Sequence, residues 1–253
     1  MRKMLKIELL KLFESFRFWI SILGIGIGLL INSLEVMRYT SFTTIDNLFM
    51  TIAGDMFFLV CFVLCIVGGG YGFCTEQKNH CVIYYVLRDK IANYTMAKTI
   101  VSFLGGFLVT FWGCILGIIM ITGKIFLFRQ YNGSIIPEIN GLGVMMAYIL
   151  GFSILCGVMS VFAMLISVFI VDYFIVMAMP ILVYFMVLNI TGWISLPVWL
   201  DITYIYFIQF NNNSFVLEKF VYDIGYALLF SIWLGMVMYK IMKKGIERKI
   251  EHG

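Results

Sequence analysis

The amino-acid sequence predicts an all-α integral membrane protein with six transmembrane helices, an N-terminal amphipathic surface helix and a re-entrant outer segment between helices five and six. Three observations carry this expectation. Of the 253 residues, 62% are hydrophobic and only 13% charged, whereas a soluble domain carries about a quarter charged residues. Apolar runs recur at lengths near the roughly 20 residues that cross a bilayer core. Runs such as 141–171 are apolar on every face, so the alternation of a membrane β-strand is missing. Helices then remain as the way to pair each backbone N–H and C=O inside hydrocarbon.

Residues 1–16 read as a helix on the membrane surface. Leu5, Leu9, Leu12, Phe13 and Phe16 recur at helical spacing and form one apolar face, from which Lys6 and Lys11 point away. The first span covers about 18–34. Arg2, Lys3 and Lys6 precede it as they would in a signal peptide, but Arg17 lies beside the run and no small-x-small cleavage site follows, so the run is expected to be retained. A short polar loop with Glu35, Arg38 and Asp46 leads to the second span, about 51–73. Residues 74–98 gather Glu76, Lys78, Arg88, Asp89 and Lys90 and form the longest internal hydrophilic stretch. The third span covers about 99–122, and the loop after it holds Asn132, Gly133, Ser134 and Pro137, which is turn chemistry.

The fourth span, 141–171, exceeds what a perpendicular crossing needs, so it is tilted, bent or partly interfacial. Asp172 is the sole charge before the fifth span, 174–192, and the connection must therefore be tight. Residues 193–220 hold Trp193, Pro197, Trp199, Tyr204, Tyr206 and Phe207, too broken for one span and aromatic enough for the headgroup zone. They read as a re-entrant or interfacial pair of short helices. The sixth span covers about 221–239, and a basic tail follows.

Lysine and arginine set the orientation. Fourteen fall in the N-terminal stretch, the 74–98 segment and the tail, and four in the opposite loops, so the positive-inside rule puts both termini in the cytoplasm of a multi-pass plasma-membrane protein. The net charge of +4 is then explained by topology and anionic lipid and calls for no nucleic-acid partner. Cys61, Cys65, Cys114 and Cys156 fall inside apolar spans, where cysteine acts as a small hydrophobe, and Cys74 and Cys81 are expected as reduced cytoplasmic thiols. His80 beside Cys81 is too little for a metal site. The chain has no G-x-x-x-x-G-K-[ST] phosphate loop. Gly54-Asp55 and Tyr222-Asp223 do not make an intramembrane aspartyl protease, because Ile52 stands where a G-x-G-D motif needs glycine. Each Asp instead opens a helix at its positive dipole end. The clustered glycines at 24–28, 68–70, 105–106 and 113–117 suit close helix packing.

A Leu- and Lys-rich surface helix running into Arg17-Phe18-Trp19, six spans, Glu76 just after span two, the turn Leu87-Arg88-Asp89-Lys90 and Lys98 opening span three together resemble the permease subunits of ABC-2-type transporters. The resemblance implies one transmembrane domain over 1–253, with 1–16 as surface helix, 74–98 as cytoplasmic coupling loop and 193–220 as external re-entrant segment. It implies that this chain and a second identical or homologous permease form the path, and that two separate ATPase subunits dock below. The chain itself is then no enzyme and holds no cofactor, ATP and Mg belonging to the partner. Coupling would fall to Glu76, Lys78, Arg88, Asp89 and Lys90. Spans two and five would line the path with Phe57, Phe58, Phe62, Met177, Ile181, Tyr184 and Phe185, below an outer gate of Asp55, Trp199, Tyr204 and Asp223. Because the span centres hold almost no charge, and charges mark ion paths, the expected cargo is an amphipathic peptide or similar membrane-active molecule moved outward. The reading from another class is a non-transporting membrane anchor or sensor that recruits a soluble partner.

Overall fold

Long uncharged runs leave the backbone no partner but itself, and the computed structural model is helical almost throughout the residues it describes: 2–39, 57–79, 81, 82, 84, 91–127, 142–193 and 217–251. No strand occurs among them. The helices are α1 (Arg2–Glu14), α2 (Phe16–Tyr39), α3 (Phe57–Cys65), α4 (Tyr71–Lys78), α5 (Ile91–Leu127), α6 (Leu142–Phe169), α7 (Tyr173–Trp193) and α8 (Leu217–Glu251), with one π-helical turn, Ile66–Gly70, joining α3 to α4. Five stretches are long and apolar enough to cross a membrane: Phe16–Leu34, Phe57–Lys78, Ile91–Lys124, Met145–Phe169 and Ile224–Lys244. In α7 the corresponding apolar stretch, Tyr173–Val187, is shorter. The chain is a multi-pass helical membrane protein.

Helix α6 is the central element, an 18-residue stretch within Met145–Phe169 being 83% buried, while the corresponding stretch within Ile224–Lys244 of α8 is 22% buried and lies at the edge. Lipid tails are as apolar as leucine, so close van der Waals contact, not water exclusion, draws such helices together. Glycine supplies that contact. A Cβ on Gly106 of α5 would stand 2.7 Å from the Cys156 carbonyl oxygen of α6, and one on Gly70 would stand 2.7 Å from the Ser160 carbonyl oxygen. On the next face of α5, Gly113 and Gly117 admit Ile25 and Leu29 of α2. Ser102 donates to the Ser160 carbonyl at 3.0 Å, pinning α5 to α6 at the same level.

One end of the bundle collects distant parts of the chain. Met4 of α1, Phe73 of α4, Tyr94 of α5, Met164 of α6 and Met238 and Met242 of α8 share one buried cluster. The N-terminal helix, α4, the first turn of α5 and the part of α8 around Met238 and Met242 therefore lie at a common end.

Several expectations change. The surface helix stops at Glu14, and Ser15 caps α2 through its Oγ, which accepts from the Phe18 N–H at 3.4 Å, while the Trp19 indole N–H donates back to the Phe13 carbonyl at 2.8 Å. Its inward face is Met4, Glu8 and Leu12, and Phe13 and Phe16 of the expected apolar face are exposed. Lys11 does not point away but turns to two carboxylates. The hydrophilic 74–98 segment is helical over 74–78 and 91–98, where Glu76 and Lys98 pair inside the fold, and Cys74 is buried there. The tight turn expected at Asp172 is present, and that carboxylate caps α7 by accepting the Phe174 and Ile175 N–H groups at 2.8 and 3.3 Å. The re-entrant reading of 193–220 falls mostly outside the described residues, α7 ending at Trp193 and α8 starting at Leu217.

Gly106→Ala is expected to cost about 1–3 kcal/mol, the usual price of overpacking a tight contact, because its nearest neighbour is backbone. Gly123→Ala, where an added Cβ meets nothing within 4 Å, should be neutral or slightly stabilising through helix propensity. Thermal unfolding in detergent compares them, and equal midpoints would contradict the α5–α6 crossing.

Candidate functional site

On α1 the inward stripe Met4, Glu8, Leu12 runs at i, i+4, i+8, so helical geometry alone carries a carboxylate into the protein. Glu8 meets Lys98, which stands two turns inside α5. The Lys98 ammonium donates to Glu8 Oε2 and to Glu76 Oε1 at 2.7 Å. Lys11 pairs with Glu8 Oε1 at 2.8 Å and with Glu76 Oε1 at 3.3 Å. The Tyr94 hydroxyl completes the set by donating to Glu76 Oε2 at 2.8 Å. Two lysines and two glutamates thus form a neutral cluster across α1, α4 and α5, with side chains of Lys98 and Glu8 only 8% and 3% exposed.

Its depth follows from α5. No charged residue separates Lys98 from Lys124, and the 26 residue steps between them measure about 39 Å at 1.5 Å per residue, more than the roughly 30 Å hydrocarbon core. Lys98 therefore fits at the membrane boundary. A single buried charge there would be costly, whereas removing one partner of a closed cluster strands the others. Glu76 sits in the last turn of α4, where the helix dipole disfavours a carboxylate, and Lys98 and Lys11 offset that.

A second arrangement lies beside the first. The Arg17 guanidinium covers the Tyr71 ring at 4.6 Å, Tyr71 stacks on Tyr173 with centroids 4.6 Å apart, and Lys78 Nζ lies 4.6 Å over the Tyr173 ring. Two cations bracket two stacked phenols, tying the start of α2 to α4 and to the start of α7. Gln77 donates to the Val168 carbonyl at 3.1 Å and fixes α4 to the end of α6.

Between α1, the first turn of α2, the π turn with α4, and α5 lies a cavity of about 470 Å³. Glu8, Lys11, Arg17, Glu76 and Lys98 line its polar side, Leu12, Phe16, Val67, Phe73 and Met164 its apolar side, and Gly68, Gly69 and Gly70 bring bare backbone to its wall.

Of the residues singled out from sequence, the structure brings Glu76 into the cluster and sets Lys78 on Tyr173. Arg88, Asp89, Lys90, Asp55, Trp199 and Tyr204 lie outside the described residues, as does the side chain of Asp223. Phe57, Phe58, Phe62, Met177, Ile181 and Tyr184 belong to one packed core, in which Phe62 meets Tyr184 and Phe58 meets Phe152, both edge-on at 4.9 Å. Phe185 is on the outer surface. The Tyr184 hydroxyl is buried in the core with no hydrogen-bond partner among the described residues. Sequence reading missed Glu8, Lys11, Tyr94 and Lys98 as members of the site. The signal was available in part: Glu8 interrupts an apolar stripe at i+4, and Lys98 is the one charge between Lys90 and Lys124.

Lys98→Met leaves Glu8 with Lys11 alone and is expected to destabilise the fold by about 3–5 kcal/mol. Combining it with Glu8→Gln should restore part of that loss, with a coupling energy above about 0.5 kcal/mol. Unfolding of the two single variants and the double variant in bilayer discs measures this, and strict additivity would show that the two groups do not interact. Compared with family models, curated proteins and solved structures, the chain matches none, so what it does is argued from this cluster, its cavity and the bundle around them.

Proposed function

We propose that the chain is the membrane-spanning permease subunit of an ATP-driven exporter of the ABC-2 type, moving amphipathic peptides or similar membrane-active molecules outward while separate subunits hydrolyse ATP. The observation that carries the reading is the clamp of Glu8, Lys11, Glu76 and Lys98. A membrane domain driven by an external motor needs its surface helix and the ends of its moving spans joined, so that force applied to one reaches the others. This cluster joins α1 to the end of α4 and the start of α5, and the connection between those two helices is the proposed coupling loop. An anchor that only recruits a partner needs no such joint.

Further features support the finer statements. Both terminal helices pack at one end of the bundle, which supports an even number of crossings. Five helices are long enough, and α7 completes six. That end carries most of the lysine and arginine, so the positive-inside rule makes it cytoplasmic. The segment 193–220 then lies outside and, with Asp55 and Asp223, supplies the outer gate through Trp199 and Tyr204. For the path, the aromatic core of α3 and α7 is the region that must part. Its Tyr184 hydroxyl has no partner among the described residues, a burial costing about 1–3 kcal/mol, and is available to a polar group of the cargo. Within the coupling loop Glu76 acts indirectly, by holding the clamp, whereas Lys78, Arg88, Asp89 and Lys90 are the candidates to touch the motor.

The purified chain is expected to hydrolyse no ATP alone and to copurify with an ATPase whose turnover it stimulates. Arg88→Glu should uncouple hydrolysis from peptide transport in vesicles without lowering the amount of inserted protein, and is a cleaner probe than Glu76→Lys, which also breaks the clamp. Recovery of a kinase or other soluble partner and no ATPase would replace the exporter with the anchor reading. For orientation, Cys81 is the one cysteine that is not buried, so an impermeant maleimide should label it only after cells are opened. Labelling of intact cells would invert the topology.

A further inference from the structure

We infer that the cavity between α1, the π turn and α5 is a binding site for an anionic phospholipid headgroup, whose phosphate is held at the mouth by Arg17. At about 470 Å³ it falls within the roughly 300–1,000 Å³ of small-molecule sites. Its charged lining consists of Lys11, Arg17 and Lys98 against Glu8 and Glu76, a net charge of +1. Both carboxylates are committed to the two lysines. Arg17 has no carboxylate partner among the described residues. Its Cζ lies 4.6 Å from the Tyr71 ring centroid, a contact that uses no N–H donor, and the exposed side chain keeps its N–H groups for a ligand. A planar fork of donors matches a phosphate, and the excess charge is of the sign that binds one.

The source of the phosphate follows from the rest of the wall. Leu12, Phe16, Val67 and Phe73 line the same cavity, an apolar surface that a free phosphate ion leaves bare and the upper part of an acyl chain covers. Phe16 is 77% exposed, and Ile7, Leu10 and Phe13 of α1 are exposed beside it, so the mouth opens where α1 meets the hydrocarbon boundary. Lys98 fits at that same depth. The cytoplasmic leaflet is where anionic lipid meets basic side chains. The site stands independently of the exporter reading, since it needs neither an ATPase nor a cargo.

The test is native mass spectrometry of the full chain released from bilayer discs containing equal phosphatidylglycerol and phosphatidylcholine with the same acyl chains. One retained phosphatidylglycerol per chain is expected, in preference to phosphatidylcholine. Arg17→Gln should weaken retention about tenfold or more, the worth of a hydrogen bond to a charged group. Gly72→Leu provides a second variant with little risk to folding, because Gly72 lines the cavity and a Cβ there meets nothing within 4 Å. It should block retention while the melting temperature stays that of the parent. Equal retention of both lipids, or parental retention by both variants, would overturn the assignment. Displacement of the lipid by excess inorganic phosphate would overturn it in favour of a free anion.

Discussion

A cluster of four charges at one end of an apolar bundle, with Glu8 and Lys98 closed away from water, is the constraint on which the rest of this structure depends. Glu8, Lys11, Glu76 and Lys98 come from three helices, and the buried Glu8 and Lys98 are tolerated because each meets opposite charge in the cluster. A buried ion cluster contributes little net stability over an apolar replacement, but a broken one is heavily penalised. The cluster therefore acts mainly by excluding other arrangements. A surface helix that slid by one turn, or an α5 that shifted along its axis, would leave a carboxylate or an ammonium buried alone. In a membrane, where helices attract each other weakly and through contact alone, such a penalty is a strong way to set register.

The cluster could not assemble without the glycine crossing one level deeper. Gly69 and Gly70 in the π turn face Gly106 and Ser160, with backbone meeting backbone, and this draws the second span onto α5 and α6. A π turn inserts one residue into a helix, and one residue rotates everything after it by about 100°. The rotation at Ile66–Gly70 thus sets which way α4 presents Glu76, and with it Tyr71 and Lys78. Packing at the glycines, the turn of the helix and the closure of the cluster form a single chain of causes. The cavity is what remains between α1 and that turn, since glycines with no side chains leave its wall unfilled.

The two sets of cations serve different ends. Lys11 and Lys98 are neutralised, and they lock α1 to the spans. Arg17 and Lys78 rest on Tyr71 and Tyr173, an attraction that holds position while leaving the charge unneutralised. The same end of the bundle therefore combines a rigid joint with cations still able to meet an anion, whether on a lipid or on a docked protein.

Composition and run length by themselves determined that the chain is helical and membrane-spanning, because hydrocarbon leaves an apolar segment of 20 residues no other way to pair its backbone. They also determined the small residues at the crossings and the tight turn at Asp172, both local consequences of side-chain size and charge. Tertiary structure alone decided the rest. Of the apolar face Leu5, Leu9, Leu12, Phe13 and Phe16, the three leucines pack on the core while the two phenylalanines stay exposed, and Glu8 goes inside with the leucines because a carboxylate becomes tolerable there once Lys98, 90 residues away, lies against it. Glu76 read as a charge in an open loop for the same reason: nothing near it in sequence reveals that Lys98, Lys11 and Tyr94 converge on it. Charge pairing is a property of distance in space, and neither periodicity nor hydropathy along the chain contains that distance.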